Sequence, residues 1–245
     1  MPRPPHTPPL TDLAPTFALF WESSKLNRRT ARDFAARLDS DGRQSQVAPQ
    51  LHYPAAPLAL PPADRRLVTQ LAQRRTERTF GHRPLGAVEL GTLLGAVGEH
   101  DGHRLLPSAG GTYPLETFVL AWAADAPFGG QVLYLDPGQH AVLPVAPLPP
   151  WESLADAVGI DQAPAAIVLF VAIPQRILRR YGDRGGRFLL LEAGHLAQNV
   201  LLAAAHLGLH ALPLGGLHDD FMQTLVGLPS AEAQVVYGCA VGHPA

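Results

Sequence analysis

LPSAGGTYPLETFVLAWA, residues 106–123, is the stretch on which the fold turns. From Leu115 to Ala123 the residues are apolar and β-prone, the composition of a buried strand. Ahead of them stand Pro107, Ser108, Ala109, Gly110, Gly111, Thr112, Tyr113 and Pro114. Adjacent glycines between prolines make a stiff loop whose backbone N–H groups can be approached closely, with a hydroxyl at Ser108 beside them. A turn leading into a strand needs the same residues, so the loop alone does not prove a ligand. It is no P-loop, since no Gly-Lys-Ser/Thr follows, and no strand feeds a GxGxxG-opened helix.

Working outward, strands are expected at 131–135 and 140–144, joined by the turn Asp136-Pro137-Gly138. A short helix at 151–158 precedes a strand at 165–173. Residues 186–207 read as one long apolar helix, central and buried. A short segment at 209–214, a helix at 218–227 and a strand at 234–242 follow. Upstream, Asp64 can cap a helix running to about Thr76, with Leu67, Val68 and Leu71 on its inner face, and 85–97 forms another helix. Residues 16–38 have helical periodicity, interrupted near Lys25. Strands and helices do not alternate regularly, which predicts an α+β fold over a doubly wound sheet.

Pro49, Pro54, Pro57, Pro61 and Pro62 mark a linker over 42–62. The chain therefore divides into an N-terminal extension with its linker, 1–62, and a main domain, 63–245. With 47% hydrophobic and 16% charged residues among 245, the chain is globular. A net charge of −2 offers no basic field for nucleic acid. The single cysteine, Cys239, fits a reducing compartment. MPRPPHTPPL has no signal-peptide core, and the apolar stretches at 165–174 and 200–209 are too short or too polar to span a bilayer, so no membrane partner and a cytoplasmic location are expected. Lys25 is the only lysine against eighteen arginines, so a mechanism needing a lysine has one candidate.

Three groups of residues could carry chemistry. Arg74, Arg75, Thr76 and Arg78 gather guanidiniums and a hydroxyl suited to a phosphate, although cations also suit a helix C-terminus. The glycine loop is the second. Leu214-Gly215-Gly216 is the third, able to present N–H groups to a planar ring or simply to make a tight connection. His206 and His210 have no third ligand, so no metal site is read. Ser108 lacks a nucleophile-elbow context, and Cys239 in its apolar strand reads as packing.

In order and spacing these segments resemble the nitroreductase superfamily of flavin enzymes, most closely its SagB-type dehydrogenase branch, which includes thiazole/oxazole-peptide oxidases. The resemblance is carried by RRTERTF at 74–80, PSAGGTYPLE at 107–116, RYGDRGGRFLLLEAGHLAQN at 180–199 and LGLHALPLGGLHDDFMQTLVGLP at 207–229, with FWESSKLNRRTARDF at 20–34 similar to that branch's extension. It implies a nitroreductase-like α+β fold, a central mixed sheet flanked by helices, in a homodimer with FMN at the interface. Arg74 and Thr76 would hold the phosphate with Arg75 close by, and Arg78 would lie near flavin N1 and O2. Leu214, Gly215 and Gly216 would border the N5–O4 edge. Pro107, Ser108, Ala109, Gly110 and Gly111 would cover the partner subunit's FMN. No basic tail follows Val241-Gly242-His243-Pro244-Ala245, so the arginine cluster is expected to carry the phosphate.

The catalytic pair implied is Arg180-Tyr181, where azole-forming oxidases have Lys-Tyr. A guanidinium keeps its proton at any accessible pH and cannot replace that lysine as a general base. The expected activity is FMN-dependent hydride transfer on a peptide or small molecule, with NAD(P)H as a co-substrate. An NAD(P)H-dependent nitro or quinone reductase and a flavin-free docking subunit of a peptide-modification complex are the other readings.

Overall fold

The structure, a computed structural model, describes residues 8–40, 58–229 and 232–245, and of 38–40 the backbone alone. Most of the expected proline-rich linker thus lies outside the described residues. The elements in chain order are α1 (Leu10–Leu13), α2 (Pro15–Ser24), α3 (Thr30–Ser40), α4 (Arg65–Gln73), α5 (Ala87–Gly95), β1 (Glu99–His100), β2 (His103–Arg104), β3 (Leu115–Ala121), β4 (Gln131–Asp136) and β5 (Ala141–Pro147). There follow α6 (Ala155–Val158), β6 (Ala166–Ala172), α7 (Gln175–Tyr181), α8 (Asp183–His206), β7 (His210–Leu214), α9 (Asp219–Leu225) and β8 (Gln234–Gly242).

The run AIVLFVA of β6 is buried at all seven positions, which requires cover on both faces of its sheet. Alternation along the strand divides it. Ala166, Val168, Phe170 and Ala172 join a core with α5 and α8, through Leu93, Leu189, Leu196 and Val200. Ile167, Leu169 and Val171 join a second core on the opposite face with Phe118, Trp151, Leu154 and Met222. Helices thus flank one six-stranded sheet, ordered β5-β4-β3-β6-β8-β7. Proline, which cannot donate to a ladder, falls on the two outer strands, at Pro144 and Pro147 of β5 and Pro213 of β7.

The sheet departs from the expected mixed arrangement: every strand pairing in it is antiparallel. The helices between β6 and β7 do return the chain in the parallel sense, but β8 is inserted between the two and runs against both. Strand direction in a sheet depends on such insertions, which residue pattern does not encode.

Two other expectations need correction. Leu67, Val68 and Leu71 of α4 form an apolar stripe, but it is not an inner face: they are 57%, 48% and 47% exposed. The long helix α8 is buried along one side only, with Leu191 62% exposed on the other. It is the one helix among the described residues long and apolar enough, by length and composition, to cross a membrane, and its buried side rests on the sheet.

The N-terminal helices are integral to the packing. Ala14, Phe17 and Trp21 belong to the core that includes α8. The Phe17 N–H donates to Asp183 Oδ1 at 2.8 Å, and Trp21 Nε1 donates to Gln234 Oε1 at 2.5 Å. Phe17 lies so close to Gly186 of α8 that a Cβ there would sit 2.1 Å from its ring. The interruption near Lys25 is present, with α2 ending at Ser24 and α3 starting at Thr30, whose hydroxyl accepts the Asn27 N–H. Three features are not announced by the sequence pattern: α1, α7 and the β1–β2 hairpin.

Candidate functional site

The glycine loop is a single 3-10 turn, Ala109–Gly111, in the left-handed region at Gly110 (φ 61°) and Gly111 (φ 64°). Glycine takes that conformation without the Cβ penalty; Tyr113 (φ 40°) takes it as well and is held there. The Tyr113 N–H donates to Ser108 Oγ at 2.9 Å, and its carbonyl accepts from Arg176 Nη1 at 3.0 Å. Arg176 in turn pairs with Glu116 at 2.5 Å, and Tyr134 donates to the same carboxylate at 2.9 Å. Burial beside that carboxylate pushes the Tyr134 hydroxyl up to about 12.

Arg180 and Tyr181, at the end of α7, meet this loop. Arg180 Nη1 donates to the Gly110 carbonyl at 3.3 Å, and its guanidinium lies 5.4 Å from the Tyr181 ring centre. A Cβ on Gly110 would stand 2.6 Å from the Tyr181 hydroxyl. Arg180 makes no ion pair with Asp183, whose carboxylate accepts from Phe17 instead. Arg180-Tyr181 and the glycine loop, 70 residues apart, are therefore one surface.

Arg78 and Leu214-Gly215-Gly216 come together elsewhere, in a cleft of about 760 Å³. The backbone of the arginine run is tied to the sheet edge: Glu77 N–H donates to the Ala211 carbonyl at 3.0 Å, and His210 Nδ1 contacts the Thr79 carbonyl at 2.7 Å. This carries Arg78 alongside the end of β7. Gly215 and Gly216 are exposed on the cleft, and His218, Ile160 and Phe34 add to its walls. Arg74, Arg75 and Thr76 lie at the C-terminal end of α4, outside the lining; Arg74 Nη1 donates to Thr76 Oγ1 at 3.4 Å. Within one chain, neither the glycine loop nor Arg180-Tyr181 lines this cleft.

The Nitroreductase family profile matches residues 71–243, which hold the glycine loop, Arg180-Tyr181, Arg78 and Gly215-Gly216 but not the α3 side of the cleft. The chain belongs to the nitroreductase family. A Methanocaldococcus jannaschii protein carrying a nitroreductase name, MJ1384, is 35% identical over 170 residues, covering 64% of this chain and 81% of the relative. Among solved structures, the Escherichia coli microcin synthetase complex McbBCD with truncated pro-MccB17 bound contains a chain that superposes with a TM-score of 0.65 at 21% identity, over 86% of this chain and 82% of that one. A Desulfovibrio desulfuricans nitroreductase-type structure in complex with FMN gives 0.52 at 20% identity, over 75% and 88%. At those identities the two structures show a shared fold.

Sequence reasoning missed what lies beneath the glycine loop of this nitroreductase-family chain. Glu192 on α8 is 3% exposed, hydrogen-bonded to Ser108, with its other oxygen unpartnered. Burial holds its carboxyl above the usual carboxylate range, against weaker opposing effects of Ser108 and Arg104. Arg104 lies over the Tyr113 ring at 5.0 Å with a buried Nε that has no partner. The signal was available: a lone acid inside LLLEAGHL, where a helix turns its apolar side inward. Also missed were Arg32 and Phe34 of α3, which line the cleft of Arg78.

Proposed function

We propose that this nitroreductase-family oxidoreductase is an FMN-dependent, SagB-type dehydrogenase working as a homodimer. The observation that carries the reading is the meeting of Arg78 with the exposed backbone of Gly215-Gly216 in one cleft of about 760 Å³. That size lies within the range of small-molecule sites, roughly 300–1,000 Å³, and the donor set suits the polar edge of a flavin ring. When bound, FMN supplies reversible two-electron chemistry. The chain's own part is to bind and tune. Arg78 would supply a fixed positive charge to the ring, and the amides of Gly215 and Gly216 could donate to its heteroatoms. Arg74 and Thr76, whose polar ends already meet, would hold the phosphate with Arg75 beside them. Ser108 to Gly111 would cover the partner's cofactor, which explains why the loop lies outside its own chain's cleft. A cytoplasmic location completes the proposal.

A second reading, NAD(P)H-dependent reduction of nitro or quinone compounds, is supported by Arg180, which cannot supply the base that azoline oxidation would need. Its guanidinium cannot accept a proton, and it is engaged with the Gly110 carbonyl. The purified protein should be yellow, should release FMN on denaturation, and should oxidise NADH or NADPH with a quinone present. A colourless protein that takes up no FMN on reconstitution would leave only the flavin-free docking role. Arg74→Ala should weaken FMN by about 1.5–3 kcal/mol, the range of a hydrogen bond to a charged group. Riboflavin, lacking the phosphate, should bind parent and variant alike. Gain of azoline oxidation in Arg180→Lys would identify the missing base; efficient azoline oxidation by the parent would overturn that account.

A further inference from the structure

The segment between α2 and α3 is fastened to the start of α9 by reciprocal bonds. Leu26 N–H donates to Asp219 Oδ2 at 2.8 Å, and Asp219 N–H donates back to the Leu26 carbonyl at 3.2 Å. Lys25, the one lysine, bridges Glu22 at 3.0 Å and Asp220 at 3.1 Å. This fastening carries α3 across the Gly215-Gly216 side of the cleft. A Cβ on Gly216 would lie 3.9 Å from Phe34 Cε1 and 3.9 Å from Leu26 Cδ1. Phe34 is nevertheless 43% exposed, so much of its ring remains open to a further group.

Charge distinguishes this wall from simple packing. Three arginines line the cleft, Arg28, Arg32 and Arg78. Arg28 is neutralised by Asp156 at 3.4 Å, whereas Arg32 and Arg78 have no carboxylate partner among the described residues. With Arg78 assigned to the flavin ring, Arg32 is the cation left in the cleft to favour a second, anionic occupant, and an open phenyl face favours a planar one.

We propose that α3 is the substrate-selecting wall of the cleft, Phe34 stacking on a planar acceptor and Arg32 pairing with a carboxylate that the acceptor carries. The inference rests on the flavin reading for the identity of the cleft floor, and its own content is the selectivity.

The test compares 4-nitrobenzoate with 4-nitrobenzamide, equal in shape and different in charge, titrated into the FMN-loaded protein without reductant and followed by the flavin spectrum. The parent should bind the carboxylate more tightly, with the preference shrinking at high salt. Arg32→Ala should weaken the carboxylate by about five- to tenfold, the effect of losing one charge-assisted contact at a partly exposed site, and leave the amide unchanged. Phe34→Ala should weaken both equally. Flavin content measured on each variant keeps a lost cofactor from counting as lost selectivity. Equal binding of the two probes by the parent, or equal weakening of both in Arg32→Ala, overturns the proposal. If the protein takes up no FMN, the flavin reading fails, and equilibrium dialysis of the same probes against the flavin-free protein decides the selectivity on its own.

Discussion

Glu192 is a carboxyl placed where a neutral group would be more comfortable. Burial raises its pKa from the usual value of about 4.5. A raised acid contributes stability that is complete below its unfolded value and is withdrawn as pH rises through the folded value, because the unfolded chain then gives up its proton more readily. Glu192→Gln, fixed in the neutral form, should therefore melt higher than the parent at pH 8. The gain should fade as pH is lowered and vanish below about 4.5. A melting series across that window checks the sign; a constant gap would mean that Glu192 titrates alike in the folded and the unfolded chain. At this scale the candidate site was half legible. Glycine and arginine runs signal themselves by composition, so Gly110, Arg78 and Gly215 could be singled out. Glu192, Arg32 and Phe34 draw their roles from what folds onto them, and no spacing rule announces that.

Elements were readable where one physical cause dominates. The continuous apolar run of β6 demanded a strand covered on both faces, and β8 matched its expected span of 234–242. Seven-residue α7 was lost between two longer elements, although Pro174 ahead of it is a recognised helix opener. The stripe of Leu67, Val68 and Leu71 is apolar yet faces outward, since amphipathicity tells that a face seeks cover without saying what supplies it. Packing between α2 and α8 gives a direct test of an element's role. Gly186→Ala would drive a methyl group into the Phe17 ring, and overpacking of this kind typically costs about 1–3 kcal/mol. Chemical denaturation should show that loss, and Phe17→Leu in the same chain should recover part of it. Two losses that simply add would mean that the helices are not in register at this point.

At the scale of the molecule, the exposed stripe of α4 and the glycine loop pose one question, that of a second copy. Under the homodimer reading, Leu71→Glu places a charge on the stripe and should shift the protein from dimer to monomer in sedimentation. Flavin should be lost along with the dimer, because association and cofactor binding each favour the other when a site is shared. A variant that remains dimeric and yellow would move the interface away from α4. The division at residue 62 bears on the same question: α2 shares its core with α8, so cutting the chain in the linker should expose Ala14, Phe17 and Trp21 contacts and not merely remove an appendage.

Pro144 has a further consequence, one for storage and concentration. The outer strand β5 leaves Leu143 49% and Val145 43% exposed, and its pairing with β4 slips out of register between Val132 and Leu133. Such an edge is a template for added strands unless something spoils its hydrogen-bonding row, and a proline with a neighbouring bulge does so. Pro144→Thr would restore a donor to that row with little change in the melting midpoint. It should nevertheless shorten the lag before thioflavin-positive aggregates form in concentrated solution. A lag equal to the parent's would show that the bulge alone keeps the edge from recruiting other chains.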